Sequence, residues 1–68
     1  MDAEEAVEKG LEVVKKMGYL YATVTKVFYE KGFWIVIVES IVKKFRVKID
    51  AGGKVIEVRE IKESKVVS

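Results

Sequence analysis

Residues 44–61 read KFRVKIDAGGKVIEVREI. Apolar and charged side chains alternate on both sides of two glycines, which indicates two half-buried β-strands joined by a tight turn. A two-residue turn would bring apolar side chains together and set a lysine against a glutamate, whereas a three-residue loop would oppose Val47 to Glu57. The stretch therefore predicts an antiparallel hairpin with its turn at Gly52-Gly53. The expected pairs are Ile49 with Ile56, Val47 with Val58, and Lys48 with Glu57.

The same two-residue period extends towards the N-terminus as far as residue 20. β-Branched and aromatic residues are concentrated in four segments that short turns separate. Turns of this length suit antiparallel neighbours and are too short for parallel crossovers. We therefore expect a simple antiparallel meander. Its strands are predicted at about residues 20–30, 33–39, 42–49 and 54–61.

The segment before the first strand follows a helical period instead. Small and apolar residues recur every three or four positions between acidic and basic ones. Asp2 is placed to cap the helix, with Glu5 at the reciprocal position of a capping box, and Gly18 is placed to end it. We expect a helix at about residues 2–17. Gly10 should lie where this helix approaches the sheet closely, because a missing side chain lets two backbones come together.

Together, these elements predict an α+β fold in which one N-terminal helix packs on a four-strand antiparallel meander sheet, in the order α-β-β-β-β. A chain of 68 residues has room for one small core. We therefore expect a single domain over residues 1–68, with a polar tail at residues 62–68.

One helix covers only one face of the sheet, so the pattern must also assign the faces. In the last hairpin, Phe45, Val47 and Ile49 should point inward and the basic residues between them outward. In the first two strands both faces are apolar. We expect the more apolar one, although Lys26 interrupts it, to lie under the helix. This set is Leu20, Ala22, Val24, Phe28, Phe33, Ile35 and Ile37.

That assignment leaves a second apolar set on a face that the helix does not cover. Contiguous exposed apolar patches on a small domain usually mark an interaction site. The candidate interaction surface consists of Val27, Tyr29, Trp34, Val36 and Val38.

Residue types that most catalytic and metal sites need are missing. The chain has no cysteine and no histidine, so it lacks disulfides, a typical zinc site and the most frequent general acid-base group. Its hydroxyl-bearing residues fall in predicted strands, a turn and the tail, without a base beside them. We therefore predict no enzyme activity, no catalytic, metal-binding or cofactor-binding residue, and no small-molecule ligand.

Charge and composition bear on location more than on activity. Thirteen basic and eleven acidic side chains leave a net charge of +2, too small by itself to indicate nucleic-acid binding. Abundant Lys and Glu without Asn or Gln resemble thermophile proteins. The acidic N-terminus lacks a secretory pattern, and the longest apolar run, residues 33–38, is far shorter than the roughly 20 residues that span a bilayer. We expect a cytoplasmic protein with no membrane partner.

The order and content of the strands resemble PepSY-like domains. In that family a helix precedes an aromatic strand, a strand that ends in aspartate, a glycine turn and a closing strand. Here the corresponding segments are FWIV at 33–36, KFRVKID at 44–50 and GGKVI at 52–56. The matching residues are Trp34, Val36, Phe45, Val47, Asp50, Gly53 and Val55. The resemblance implies a noncatalytic domain that binds or restrains peptidases, typically outside the cytoplasm or beside membrane segments.

Two functional hypotheses fit these observations, and both leave the partner's identity and the oligomeric state open. The first is a noncatalytic protein-binding or self-associating module, such as a homodimer, that uses the surface around Trp34. The second is single-stranded nucleic-acid binding on the open sheet, with rings stacking on bases and cations neutralising phosphates. Cross-strand pairing with glutamates also accounts for the cations. The residues of the second hypothesis are Tyr21, Tyr29, Trp34, Lys44, Arg46, Lys48 and Arg59.

Overall fold

The computed structural model describes residues 1–62, so most of the predicted polar tail lies outside the described residues. One helix is followed by four strands that form an antiparallel sheet in the order β1-β2-β3-β4. The predicted α+β fold is therefore confirmed. The elements are α1 (Ala3–Lys16), β1 (Thr23–Glu30), β2 (Phe33–Glu39), β3 (Lys44–Asp50) and β4 (Val55–Ile61).

Both predicted ends of the helix are confirmed. The Asp2 carboxylate accepts a hydrogen bond from the Glu5 amide at 2.9 Å, and the Glu5 carboxylate accepts one from the Asp2 amide at 3.4 Å. This is a complete capping box, which satisfies amides that the helix itself leaves without partners. At the other end, Gly18 has a φ of +106° and the Tyr19 amide donates to the Val14 carbonyl at 3.3 Å. This is the Schellman arrangement that the glycine predicts.

A β-bulge in β1 changes which side chains share a face. Val24 pairs with Val38, but Lys26 pairs with the next residue of β2, Ile37, so Thr25 is an extra residue without a partner. Side chains before and after the bulge therefore follow opposite alternation. Lys26 therefore lies on the opposite face of the sheet from Val24, and it shares that face with Phe28 and Ile37.

The last hairpin differs from its predicted turn. Asp50 and Lys54 close a three-residue loop, in which the Asp50 amide donates to the Lys54 carbonyl at 2.9 Å. The Asp50 carboxylate accepts the amides of Gly52 and Lys54, both at 2.9 Å, and Gly53 takes a φ of +95°. These hydrogen bonds stabilise the wider loop, so the predicted two-residue Gly-Gly turn is wrong.

A second bulge, at Ile56, restores the predicted pairing beyond this loop. Ile49 faces Val55 instead of Ile56, and Ile56 is the extra residue. The predicted pairs of Val47 with Val58 and Lys48 with Glu57 are both confirmed. The three-residue loop therefore does not oppose Val47 to Glu57, because the bulge compensates for the extra residue of the loop.

The helix covers the opposite face of β2 from the one predicted. A Cβ atom on Gly10 would lie 2.8 Å from Val36 Cγ1, so the predicted close approach is confirmed, but it involves Val36 and not the set that contains Ile35. Val36 pairs with Val47, and paired residues share a face. We call this side of the sheet the covered face. Its core, with the helix, consists of Ala6, Val14, Ala22, Val36, Val38, Phe45, Val47 and Ile49.

The predicted assignment of faces is therefore wrong for much of the first hairpin. Ala22 and Val24 do pack in or against the core, but Leu20 lies exposed in the turn before β1. The other side of the sheet, which we call the open face, carries the rest of the set that was expected under the helix. These residues are Phe28, Phe33, Ile35 and Ile37, together with Lys26.

Candidate functional site

The predicted interaction surface is largely part of the core. Val36 and Val38 are fully buried, and Val27 and Trp34 are half-buried against the core cluster. Tyr29 is 54% exposed, and its ring meets the Trp34 ring edge-on with centroids 5.1 Å apart. The apolar character of these five residues is explained by their place on the covered face, so they do not form the uncovered patch that the sequence suggested.

The predicted nucleic-acid face is divided between the two sides of the sheet. Trp34 and Tyr29 lie on the covered face, and Tyr21 lies in the connection between α1 and β1. The basic residues do share the open face, as the strand alternation predicted, because they pair across the sheet with other open-face residues. These are Lys44, Arg46, Lys48 and Arg59. The structure therefore does not bring the predicted aromatic and basic residues together.

Different aromatic residues accompany the cations of the open face. The Lys26 amine lies 5.4 Å from the centroid of the Phe28 ring, and the Lys48 amine lies 4.3 Å from that of Phe33. Both rings are half-buried. Sequence reasoning missed Lys26, Phe28 and Phe33 as members of this surface. The pairing of β2 with β3 was the signal that could have placed them.

Three cations of the open face form a line across the sheet. Lys26 pairs with Ile37, Ile37 with Arg46, and Arg46 with Arg59. The three cations Lys26, Arg46 and Arg59 therefore lie in one row, with Ile37 of β2 between the first two. We call it the cationic row. Arg46 and Arg59 are directly opposite one another, an arrangement of like charges that destabilises a sheet.

Three of the four acidic residues of the open face have partners, and the fourth, Glu30, lies opposite Phe33 at the end of β1. Arg59 Nη2 lies 3.0 Å from Glu57 Oε2, and Lys44 Nζ lies 4.0 Å from Glu39 Oε2. The Asp50 carboxylate holds the β3–β4 loop. Among residues 1–62, Arg46 has no ion-pair partner.

Exposed apolar side chains gather at one end of the sheet. The pairing of Thr23 with Glu39, Glu39 with Lys44, and Lys44 with Ile61 brings together the α1–β1 connection, the β2–β3 turn and the end of β4. Five of the eight large apolar side chains that residues 1–62 expose lie here. We call this surface the loop end; its apolar residues are Met17, Leu20, Tyr21, Ile41 and Val42.

The β2–β3 turn holds two of these side chains out in solvent. The Ser40 hydroxyl oxygen accepts hydrogen bonds from the amides of Val42, at 3.3 Å, and Lys43, at 2.9 Å, and the Ser40 amide donates to the Lys43 carbonyl at 2.7 Å. Ile41 and Val42 occupy the centre of this turn and are 84% and 75% exposed. The predicted start of the third strand at residue 42 is wrong, because Val42 belongs to the turn.

Lys43 connects the parts of the loop end. Its amine lies 5.9 Å from the centroid of the Tyr19 ring and 3.5 Å from Glu60 Oε1, while the Tyr19 ring packs against Phe45 at 5.0 Å. The Tyr19 hydroxyl, and after it the Glu60 carboxylate, raise the pKa of Lys43 above its usual value. The connection after α1, the β2–β3 turn and β4 therefore form one continuous surface.

Both signs of charge surround the apolar residues of the loop end. The last turn of α1, the β2–β3 turn and the residue after β4 supply lysines, and the neighbouring strand ends and α1 supply glutamates. The charged residues are Lys15, Lys16, Lys43 and Lys62, with Glu12, Glu39 and Glu60.

Within residues 1–62, no helix combines the length and apolar character needed to cross a bilayer, and no three His, Cys, Asp or Glu side chains are grouped to hold a metal ion. Comparison with known proteins finds no matching family model, no matching curated protein and no matching solved structure.

Proposed function

We propose that the chain is a noncatalytic binding module that works as a homodimer, and that two copies meet at the loop end. The observation that carries this proposal is the β2–β3 turn, which presents two β-branched apolar residues to solvent. Ile41 and Val42 do not belong to the core cluster, and a polar pair would form this turn more readily. Sequences break local rules of this kind mainly at functional sites.

The charges around the loop end favour self-association. An interface between two copies related by a two-fold axis must be complementary to itself. Because the loop end has both lysines and glutamates around its apolar residues, Lys43 of one copy could face an acidic residue of the other. The open face is less suited to this role, because pairing two such faces would set one cationic row against another.

Association would also add stability that a small domain lacks. A domain of about this size buries only about 60% of the surface that its unfolded chain exposes. A homodimer that buries the loop end removes further apolar surface from water, and mass action then stabilises the folded state as the protein concentration rises. The exposed apolar residues would thus have an energetic role in the dimer that they lack in a single copy.

Concentration-dependent melting tests this proposal. For a dimer that unfolds to monomers, a tenfold rise in concentration contributes about 1.4 kcal/mol per dimer, or about 0.7 kcal/mol per subunit. For a chain of this length, that corresponds to an increase of about 3–6 °C in the thermal midpoint. We expect the wild type to show this increase.

Variants locate the interface. The double variant Ile41→Ser/Val42→Ser should keep its circular dichroism spectrum but melt at the same temperature at every concentration. Ile56→Ser is the matched control, because Ile56 is also exposed, at 49%, but lies near the other end of the sheet. This control should retain the concentration dependence. A wild-type midpoint that does not move with concentration contradicts the homodimer.

A further inference from the structure

We propose that the open face binds single-stranded nucleic acid, with the cationic row contacting phosphates and Phe28 and Phe33 stacking on bases. This site goes beyond the proposed homodimer and does not depend on it, because the residues involved lie on the face of the sheet and not in the apolar centre of the loop end. The ligand class follows from three features of the face: an unfavourable charge arrangement, a linear geometry and half-buried rings beside the cations.

The first feature is the position of Arg46. It stands directly opposite Arg59, and no carboxylate among residues 1–62 pairs with it. Like charges directly opposite one another cost stability in an antiparallel pair. An anion bound between them would remove this cost, because phosphate oxygens accept hydrogen bonds from guanidinium groups in a bidentate manner.

The second feature is the linear arrangement of the cations. The cationic row crosses all four strands, and three strand spacings of about 4.8 Å give it a length of about 14 Å. Lys48 extends the basic surface along β3, two residues from Arg46 and on the same face. A compact anion would need converging donors. A line of cations instead suits a chain with a charge on each unit.

The third feature is the pair of phenylalanine rings. Each ring has a lysine amine near it, at 5.4 Å for Phe28 and 4.3 Å for Phe33, in the position of a cation–π contact. Lysine side chains are flexible, so an amine can move from the ring to a phosphate while a base takes its place on the ring. Base stacking on aromatic side chains and backbone neutralisation by cations are the two contributions that single-strand-binding surfaces combine.

These features favour nucleic acid over an acidic protein segment. Acidic side chains would satisfy the cations, but they offer no planar group to stack on Phe28 and Phe33. A single strand offers both groups on every unit, because each nucleotide has a phosphate and a base with a π face. The same argument predicts little discrimination between sequences, since neither the cations nor the rings read base edges.

Fluorescence anisotropy with a labelled oligothymidylate of about 12 nucleotides tests the site, a length within the range that small single-strand-binding domains cover. Four phosphate contacts, from the cationic row and Lys48, predict a slope of log K against log salt of about −2.8, at about −0.7 per contact. The double variant Arg46→Gln/Lys48→Gln should bind at least about tenfold more weakly and halve the slope. Phe28→Leu should lose at least about fivefold, as expected when one base no longer stacks.

The matched control is Lys31→Gln/Lys54→Gln, which removes the same charge from the turns at one end of the sheet and should bind as the wild type does. The Ile41→Ser/Val42→Ser variant, titrated in parallel, shows whether a failure belongs to the homodimer or to this site. Equal losses in the control and the open-face variant would overturn the proposal. So would binding of polyphosphate or polyglutamate as tight as that of the oligonucleotide, or no binding at low salt.

Discussion

Gly10 is the point at which α1 lies closest to the sheet, and adding a methyl group there tests which face of β2 the helix covers. Ala is normally about 1 kcal/mol better than Gly inside a helix. Here the new Cβ would lie 2.8 Å from Val36 Cγ1 and 3.1 Å from Val36 Cβ. Val36 is fully buried and its branched side chain has little rotational freedom. Overpacking of this kind costs about 1–3 kcal/mol, so Gly10→Ala should be destabilising by up to about 2 kcal/mol.

Urea unfolding followed by Trp34 fluorescence measures this change, and a second substitution shows where it originates. Val36→Ala alone should destabilise the protein because it leaves a cavity. In the double variant the two changes should compensate in part, with a coupling of at least about 0.5 kcal/mol. Gly10→Ala that stabilises by about 1 kcal/mol, with no coupling to Val36→Ala, would refute the contact and with it the assignment of the covered face.

Three further perturbations have defined outcomes. Arg46→Gln should raise the free energy of unfolding by about 0.2–1 kcal/mol, because it removes one member of a like-charged cross-strand pair; a loss of stability in urea unfolding would show that Arg46 has a structural role instead. Asp50→Ala should cost about 1–3 kcal/mol in the same measurement, since two turn amides lose a charged acceptor. The Tyr19 hydroxyl, and after it the Glu60 carboxylate, raise the pKa of Lys43 in the folded protein. The charged Lys43 amine therefore stabilises the folded state fully below about pH 10.4, and this stabilisation is lost as the pH rises through the pKa of the folded state. The difference in thermal midpoint between wild type and Lys43→Gln should therefore be constant from pH 7 to about pH 10 and shrink above that.

The helix and the order of the strands were predictable because their signals are local. Asp2, Glu5 and Gly18 mark the ends of α1 through hydrogen bonds and a backbone angle within a few residues of each other. The faces of β2 were not predictable in the same way. Every residue from Phe33 to Val38 is apolar, so alternation alone has no preference. Pairing with β3 decides the question, because Val36 shares a face with Val47.

The two bulges are a second feature that alternation of residue types did not predict. Each inserts one residue into a strand and reverses the alternation beyond it, at Thr25 in β1 and at Ile56 in β4. The charge of Lys26 within an apolar set was the sequence signal of the first bulge. The second was harder to predict, because the extra residue of the three-residue loop and the extra residue Ile56 compensate for one another. The pairs of Val47 with Val58 and Lys48 with Glu57 therefore stay as a two-residue turn would give them.

The candidate sites were predicted only in part. The outward position of Arg46 and its basic neighbours followed from alternation in β3, but the rings beside them could be named only once the faces of β1 and β2 were known. The loop end was missed because the β-branched Val42 was predicted to begin the third strand, so that Ile41 and Val42 were not placed together in the turn. Their exposure depends on the Ser40 hydrogen bonds that close the turn before β3 begins.

Light scattering coupled to size-exclusion chromatography tests the proposed homodimer most directly. The chain has a mass of 7.7 kDa, so a homodimer has twice that mass. We expect the wild type to approach the mass of the dimer as its concentration rises, and the Ile41→Ser/Val42→Ser variant to remain at 7.7 kDa over the same range. A wild type that elutes at 7.7 kDa at every concentration would contradict self-association through the loop end.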